Sequence, residues 1–480
     1  MTTTNYIGRK GYSIHKENLT LHEQKYIRDE LTVKPYIPKA PVQPDPYPIF
    51  QESLKKFYVP RYFGLDNYGD PEEFKISKGD NINLDFQGEM RDYQNNIIDK
   101  YISHVKDSGG GLLDVDPGKG KTVMALNIIS KLNKKTLVVV HKSFLLNQWI
   151  ERIEQFLPEA KVGKIQGQII DIEDKDIVIG MLQSLSMKEY PDNLFDCFGL
   201  TIYDEVHHLS AEVFSKCMMK IITNYTLGLS GTMQRKDGLS KVFKMFLGPV
   251  VHKEKSNKGE HNVLVKGIKY DAHDAEFNEV EYDYRGNPKF STMISKLCNY
   301  NRRSEFIIHV LENELKINPN QQIMILAHNK TLIKYLYQAV EHKKIGSVGY
   351  YIGGMKEADL KISESKTIII ATYAMASEGL DIKTLTTLIM ASPKTDVCQS
   401  VGRILRTKHQ QPLVIDIIDS QSLFERQWNK RKTYYTKQKY KIITTTNEKY
   451  DENNWDTIFD PENKEKIVRE KKPLSGKCLI

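Results

Sequence analysis

The feature that most constrains this chain is an alternation. Short runs that are apolar on both faces keep trading places with segments whose apolar residues recur at helical spacing. In the first half the runs are 111–115, 136–140, 177–180, 200–203 and 226–229, and between them lie Met124, Ile128 and Leu132, then Trp149, Ile153 and Phe156. A strand that is apolar on both faces must be covered on both, and intervening helices supply the cover. The pattern therefore predicts a parallel sheet between helical layers, an α/β domain over 88–252. After a polar stretch at 253–260 the same pattern returns, with runs at 322–327, 347–351, 367–372, 386–391 and 413–418. This assigns 253–425 to a second α/β domain, patterned most clearly from about residue 300, although the halves share no sequence repeat.

The flanks have a different texture. Residues 1–87 are rich in Tyr, Pro and Lys, and Pro35, Pro38, Pro41, Pro44, Pro46, Pro48 and Pro60 keep long helices out of 33–60. An accessory region of short extended pieces is expected there. At the other end, 426–480 reads as a basic aromatic tail. The chain carries 69 Lys and Arg against 61 Asp and Glu, a surplus of eight, and seven cations with no acid fall within 426–441 beside Trp428, Tyr434, Tyr435 and Tyr440. Cations neutralise phosphates and aromatic faces stack on bases, so this run is read either as a nucleic-acid contact or as a solvated helix with its aromatics packed on the body.

Other classes fall away. No stretch approaches the roughly eighteen consecutive apolar residues of a membrane span, and the N-terminus lacks the apolar core of a signal peptide. Cys197, Cys217, Cys298, Cys398 and Cys478 form no Cys-x-x-Cys pair, which argues against a zinc ribbon or disulfide framework and for a reducing, intracellular compartment, cytoplasmic or nuclear.

The chemistry concentrates in two places. Asp116-Pro117-Gly118-Lys119-Gly120-Lys121-Thr122 follows an expected strand and precedes an expected helix, the layout of a phosphate-binding loop. Glycines let backbone N–H groups wrap phosphates at a helix N-terminus, Lys121 supplies a point charge, and the Thr122 hydroxyl reaches Mg²⁺. Val115 stands where the general pattern has its first glycine. About eighty residues on, the run 200–203 leads into Asp204-Glu205-Val206-His207-His208. Ligands gather at the carboxyl ends of parallel strands, so these acids are expected beside the loop. Asp204 would hold Mg²⁺ and Glu205 would orient or deprotonate the attacking water, which together imply cleavage of a nucleoside triphosphate.

These residues resemble the superfamily 2 DExH-box helicases, and the ordered motifs run through both α/β domains. The resemblance implies two tandem RecA-like parallel-sheet domains that use ATP and Mg²⁺. Within Met90-Arg91-Asp92-Tyr93-Gln94, Arg91 and Gln94 would recognise adenine. Gln148 and Trp149, and Gln183 with Ser184, resemble motifs that touch a nucleic-acid strand. Ser230-Gly231-Thr232 resembles the coupling motif, with glycine replacing the usual alanine, and His207 would link the ATP and nucleic-acid sites. Thr372 with Gly379 and Asp381 resembles a motif that meets both ligands. Gln399, Arg403 and Arg406 resemble the arginine-finger motif; their spacing, i, i+4, i+7, places all three on one helix face.

The segment 227–239 resembles the XPB/UvsW-like branch, with Met233 in place of the usual proline, and the length and N-terminal extension are similar to helicases of large cytoplasmic DNA viruses of the poxvirus transcript-release type. This implies DNA or a DNA–RNA hybrid as substrate, with RNA the other candidate. It further implies a place in viral transcription or in DNA repair, contact with the transcription machinery, and carriage in the virion for a viral protein. The alternative is an ATP-controlled remodelling or assembly subunit of a transcription complex that binds nucleic acid without unwinding it.

Overall fold

Each apolar run named above is a strand in the computed structural model, which describes residues 4–36, 42–116, 118–206, 211–231, 240–254, 262–377, 382–405, 407 and 409–462. The chain divides into two units, Met1–Ser256 and Asn257–Ile480.

In the first unit an eight-stranded sheet runs in the order Ile169–Ile170, Val162–Gln166, Ile177–Met181, Thr136–Val140, Leu200–Tyr203, Tyr225–Ser230, Gly110–Val115, Val250–Glu254, parallel except for the Ile169–Ile170 edge. Side chains alternate between two cores: Leu137 and Val139 join one, Val138 and Val140 the other. That is the two-sided burial the sequence pattern demands. Strand Val250–Glu254 crosses the 252/253 boundary expected from sequence. Its pairing with Gly110–Val115 gives it to the first sheet.

Residues 6–74 form a second, five-stranded sheet in the order Gln51–Glu52, Lys56–Val59, Gly11–His15, Tyr6–Gly8, Glu73–Phe74. Its helices are short, Leu21–Glu30 and Arg61–Tyr68. The first begins where Thr20 and Glu23 cap each other, with Thr20 Oγ1 accepting from the Glu23 N–H at 3.2 Å and Glu23 Oε2 accepting from the Thr20 N–H at 2.7 Å. Ile7, Tyr12, Phe57 and Phe63 share one core with Val242 and Phe243 of helix Ser240–Leu247, so this sheet is seated on the α/β body. Arg61 fixes the seat. Its guanidinium occupies the space beside Gly109, the left-handed residue ending helix Asp92–Ser108, and Nη1 donates to the Asn224 carbonyl at 2.9 Å.

The second unit carries another eight-stranded sheet, in the order Val348–Tyr351, Ile368–Thr372, Gln322–Ala327, Leu385–Met390, Leu413–Asp419, Leu264–Tyr270, Lys441–Thr446, Asp456–Phe459, parallel except at the last strand. The separate tail expected from residue 426 is corrected here. Helix Ser422–Lys437 spans that boundary and strand Lys441–Thr446 extends the sheet, so the segment belongs to the α/β unit as far as residue 462. Trp428, Tyr435 and Tyr440 are buried in its core and cannot stack on bases. Nor are all seven cations at the surface: Arg431 is buried against Asp416, with Nε to Oδ2 at 2.7 Å and Nη2 to Oδ1 at 2.8 Å.

A second buried pair joins Arg303 Nε and Nη2 to Asp419 at 2.6 and 2.8 Å. Among the described residues no helix is long and apolar enough to cross a membrane. Since both members of the Arg303 pair are fully buried, Asp419→Ala strands a guanidinium without its counter-charge. It should cost about 3–5 kcal/mol, read as a lower urea midpoint for unfolding of the second unit.

Candidate active site

The site is assembled from strand ends. Strand Gly110–Val115 is buried along its whole length and delivers the chain to a loop that turns at Gly118 and Gly120, both at positive φ (84° and 83°), before helix Lys121–Leu132. The first N–H groups of such a helix have no partner within it and form the positive end of its dipole, so the loop opens toward an anion. Lys121, Thr122, Gly118, Lys119 and Gly120 all stand here; Pro117 lies outside the described residues.

The loop is braced from behind. Gln94 Nε2 and the Tyr93 hydroxyl both donate to the Lys119 carbonyl at 3.0 Å, while Gln94 Oε1 accepts from the Arg91 N–H at 3.0 Å. Gln94 is 7% exposed. Its contacts fix the loop and the start of helix Asp92–Ser108; Arg91, expected with it to read adenine, lies at the surface. Tyr93 was missed in the sequence, where its place beside Gln94 was the only signal.

Strand Leu200–Tyr203 ends at Asp204 and Glu205, two strand positions from the loop strand, with Tyr225–Ser230 between. Neighbouring strands lie about 4.8 Å apart, so roughly 10 Å separates the two ends, a span that a lysine and a glutamate side chain close together. They do: Lys121 Nζ is 3.1 Å from Glu205 Oε1. Glu205 has φ 51°, a strained conformation for a residue with a side chain. Asp204 is 6% exposed, and its Oδ2 accepts a 2.9 Å hydrogen bond from the Trp149 indole. Burial and then the neighbouring Glu205 charge push its carboxyl up to about 6, against the pull of Trp149, Lys121 and His141.

Trp149 is therefore a correction. Its family motif is expected to touch a nucleic-acid strand, but the side chain is fully buried on the apolar face of helix Ser143–Phe156, held to the Asp204 carboxylate. Gln148, next to it, is half-buried, and Gln183 is exposed on the helix that follows strand Ile177–Met181. Ser184 Oγ accepts from the Gly167 N–H at 2.9 Å. Ser230 is buried at the end of the strand between loop and acids. All these strands are parallel, so their carboxyl ends form one edge. His207 and Thr232 lie outside the described residues.

In the second unit Thr372 ends strand Ile368–Thr372, its Oγ1 accepting from the Met375 N–H at 3.3 Å. Gln399 stands on the short helix Cys398–Gly402, and Arg403 opens a 3₁₀ turn, so the expected continuous α-helical face is not formed. Arg403 is 7% exposed and donates from Nε to the Ala376 carbonyl at 2.8 Å. Arg406, Gly379 and Asp381 lie outside the described residues.

Known proteins match this chain along most of its length. The family model described as "Type III restriction enzyme, res subunit" matches residues 87–235. A protein of Acanthamoeba polyphaga mimivirus named "Putative ATP-dependent RNA helicase L396" is 37% identical over 450 residues, covering 91% of this chain and 86% of its own. The chain belongs to the superfamily 2 helicases of large DNA viruses. A 28% identical helicase of African swine fever virus, named "Putative ATP-dependent RNA helicase QP509L", covers 73% of both chains. The solved structure of a point variant of S. cerevisiae Dbp5 bound to RNA and ADP BeF3 aligns with a TM-score of 0.53 at 11% identity, over 74% of this chain and 91% of that one; it identifies the fold as tandem RecA-like domains. The helicase is thus an ATP hydrolase that acts on nucleic acid.

One substitution tests the brace behind the loop. A Cβ at position 120 would sit 2.5 Å from Gln94 Nε2 and on a positive φ. Gly120→Ala in this helicase should therefore lower affinity for a fluorescent ATP analogue by about tenfold, the effect of roughly 1–2 kcal/mol of left-handed strain.

Proposed function

We propose that the helicase couples Mg-ATP hydrolysis at Lys121, Asp204 and Glu205 to movement along one nucleic-acid strand. The observation that carries this reading is the meeting of the loop lysine with the second acid of the pair, 3.1 Å apart at one sheet edge. Loop N–H groups and Lys121 hold the β and γ phosphates. The Thr122 hydroxyl and the Asp204 carboxylate, one of whose oxygens is engaged by Trp149, are hard oxygen donors that suit a hydrated Mg²⁺, which would neutralise phosphate charge there. Glu205 positions the attacking water and accepts its proton. Family resemblance gives Gln399, Arg403 and Arg406 the stabilisation of transition-state charge, and gives His207, Ser230 and Thr232 the coupling of hydrolysis to movement.

DNA or a DNA–RNA hybrid, in viral transcription or repair, is the substrate supported by the XPB/UvsW-like resemblance of 227–239. The names of the mimivirus and African swine fever virus relatives support RNA as a second reading. ATPase rates measured with single-stranded DNA, duplex DNA and RNA as separate activators choose between them. A strand-displacement assay alongside detects the remodelling alternative, in which ATPase is stimulated and no strand is released.

Two predictions test the roles. Lys121→Ala should lose turnover and bind nucleotide more weakly. Glu205→Gln should lose turnover by about 10²-fold or more with binding retained, and parent-rate hydrolysis by that variant would overturn the assignment of the water-positioning carboxylate. Tracking through phosphate and sugar predicts a steep fall in nucleic-acid affinity between about 50 and 200 mM salt, measured by fluorescence anisotropy.

A further inference from the structure

The five-stranded N-terminal sheet has one face on the α/β body and one face away from that core. Ile7, Tyr12, Ile14 and Phe57 point to the buried side. The register aligns Tyr6 with Ser13, Ser13 with Tyr58 and Tyr58 with Gln51, so these residues share the other face. A cleft of about 370 Å³ opens there, lined by Tyr6, Ser13, Tyr58 and the cations Arg9, Lys10 and Lys75.

The chemistry of this face is consistent along its length. Lys75 and Lys56 place their ammonium groups 4.4 and 4.7 Å from the Tyr6 ring centre, and Lys10 lies 5.3 Å from that of Tyr58. Arg9 pairs with Asp196 and Lys75 with Glu73. Among the described residues no carboxylate pairs with Lys10 or Lys56. Two unlike groups register the resulting positive field. The Tyr6 phenol is lowered although burial alone would raise it, through its hydrogen bonds to Ser13 and Lys56 and the charges of Lys56 and Lys75. The His15 imidazole is lowered by burial and then by Lys56, with Lys75 and Lys55 adding to it against Glu17. Half-buried phenol rings ringed by ammonium groups match a ligand that alternates flat π faces with negative charge.

We propose that this face is a nucleic-acid contact separate from the ATP-site edge, taking a single strand whose bases lie on Tyr6 and Tyr58 and whose phosphates meet Lys10 and Lys56. A duplex buries its base faces in its own stack, whereas an unstacked strand presents them. Strand Gly11–His15 separates the rings, so they lie roughly 10 Å apart. That exceeds the spacing of stacked neighbours, about 3.4 Å, so the two bases held by the rings are not stacked on each other. Recognition of this kind is tolerant of sequence, because every base has a π face.

The test uses the full chain and a fluorescent single-stranded oligonucleotide without ATP. Tyr6→Ala with Tyr58→Ala should weaken binding by about tenfold or more, while Tyr6→Phe with Tyr58→Phe, which keeps both rings, should bind within about twofold of the parent. Lys10→Gln with Lys56→Gln, less exposed to a folding failure, should lower the slope of log affinity against log salt by about 1.4, from two phosphate contacts at about 0.7 each. ATPase without nucleic acid should be unchanged in all three, which keeps this outcome distinct from any failure of the ATP-site assignment. Parent affinity in the alanine variant, an unchanged salt slope in the glutamine variant, or an equal loss for duplex and single strand would each overturn the proposal.

Discussion

The first unit depends on the parallel register of Thr136–Val140, Leu200–Tyr203, Tyr225–Ser230 and Gly110–Val115. Parallel strands all end on the same edge, so a glycine loop after one and an acidic pair after another must emerge on the same side of the sheet. Their separation is then set by strand order alone. With one strand between them the loop and the acids are too far apart for backbone contact and near enough for side chains, and Lys121 and Glu205 bridge that distance. The long Lys side chain and the turn at Glu205, strained at φ 51°, both answer to that spacing.

Asp204 shows what the arrangement costs. A carboxylate 6% exposed would ordinarily be neutral. The Trp149 indole and the nearby Lys121 and His141 offset part of the desolvation, yet the carboxyl still sits near 6, because burial outweighs them and the Glu205 charge beside it adds to the rise. Two acids against one another at the end of an apolar strand make a site that gains from added positive charge. That electrostatic imbalance is a property of the chain's own residues, and it fits the metal-assisted chemistry proposed for them.

Much of this was legible in the sequence because burial on both faces leaves a continuous apolar run. Runs 136–140, 200–203 and 322–327 are strands with the same ends. The strands that escaped are the half-buried ones: Val162–Gln166 and Lys441–Thr446 alternate polar with buried residues, and Leu264–Tyr270 contains two lysines and a glycine. The pieces of the N-terminal sheet are two to five residues long and punctuated by proline and glycine, too short for a period to declare itself. Trp149 was legible in two incompatible ways. Its spacing with Ile153 and Phe156 placed it in the core, its motif placed it on a strand of nucleic acid, and the helix period prevailed because a buried indole N–H found a carboxylate. In 426–441 the aromatics were legible as packed on the body, and Trp428 and Tyr435 do face inward; what a count of charges hid is that Arg431 is buried with them.

The buried arginines of the second unit do more than neutralise two aspartates. Asp416 and Asp419 lie on one strand, and each receives an arginine from a different helix, Arg431 from Ser422–Lys437 and Arg303 from Asn301–Ile317. Each guanidinium then has a donor left. Arg303 Nη1 gives it to the Ala391 carbonyl at 2.8 Å and Arg431 Nη1 to the Lys394 carbonyl at 2.6 Å. Residues 391–394 are the segment that leaves strand Leu385–Met390 and leads to helix Cys398–Gly402, which carries Gln399 and is followed by Arg403. An apolar pair of the same volume would pack the two helices as well, but it could not hold those carbonyls. The planar fork of arginine, satisfied on one side by a carboxylate and on the other by backbone, ties the path toward Gln399 and Arg403 to the rigid centre of its own sheet.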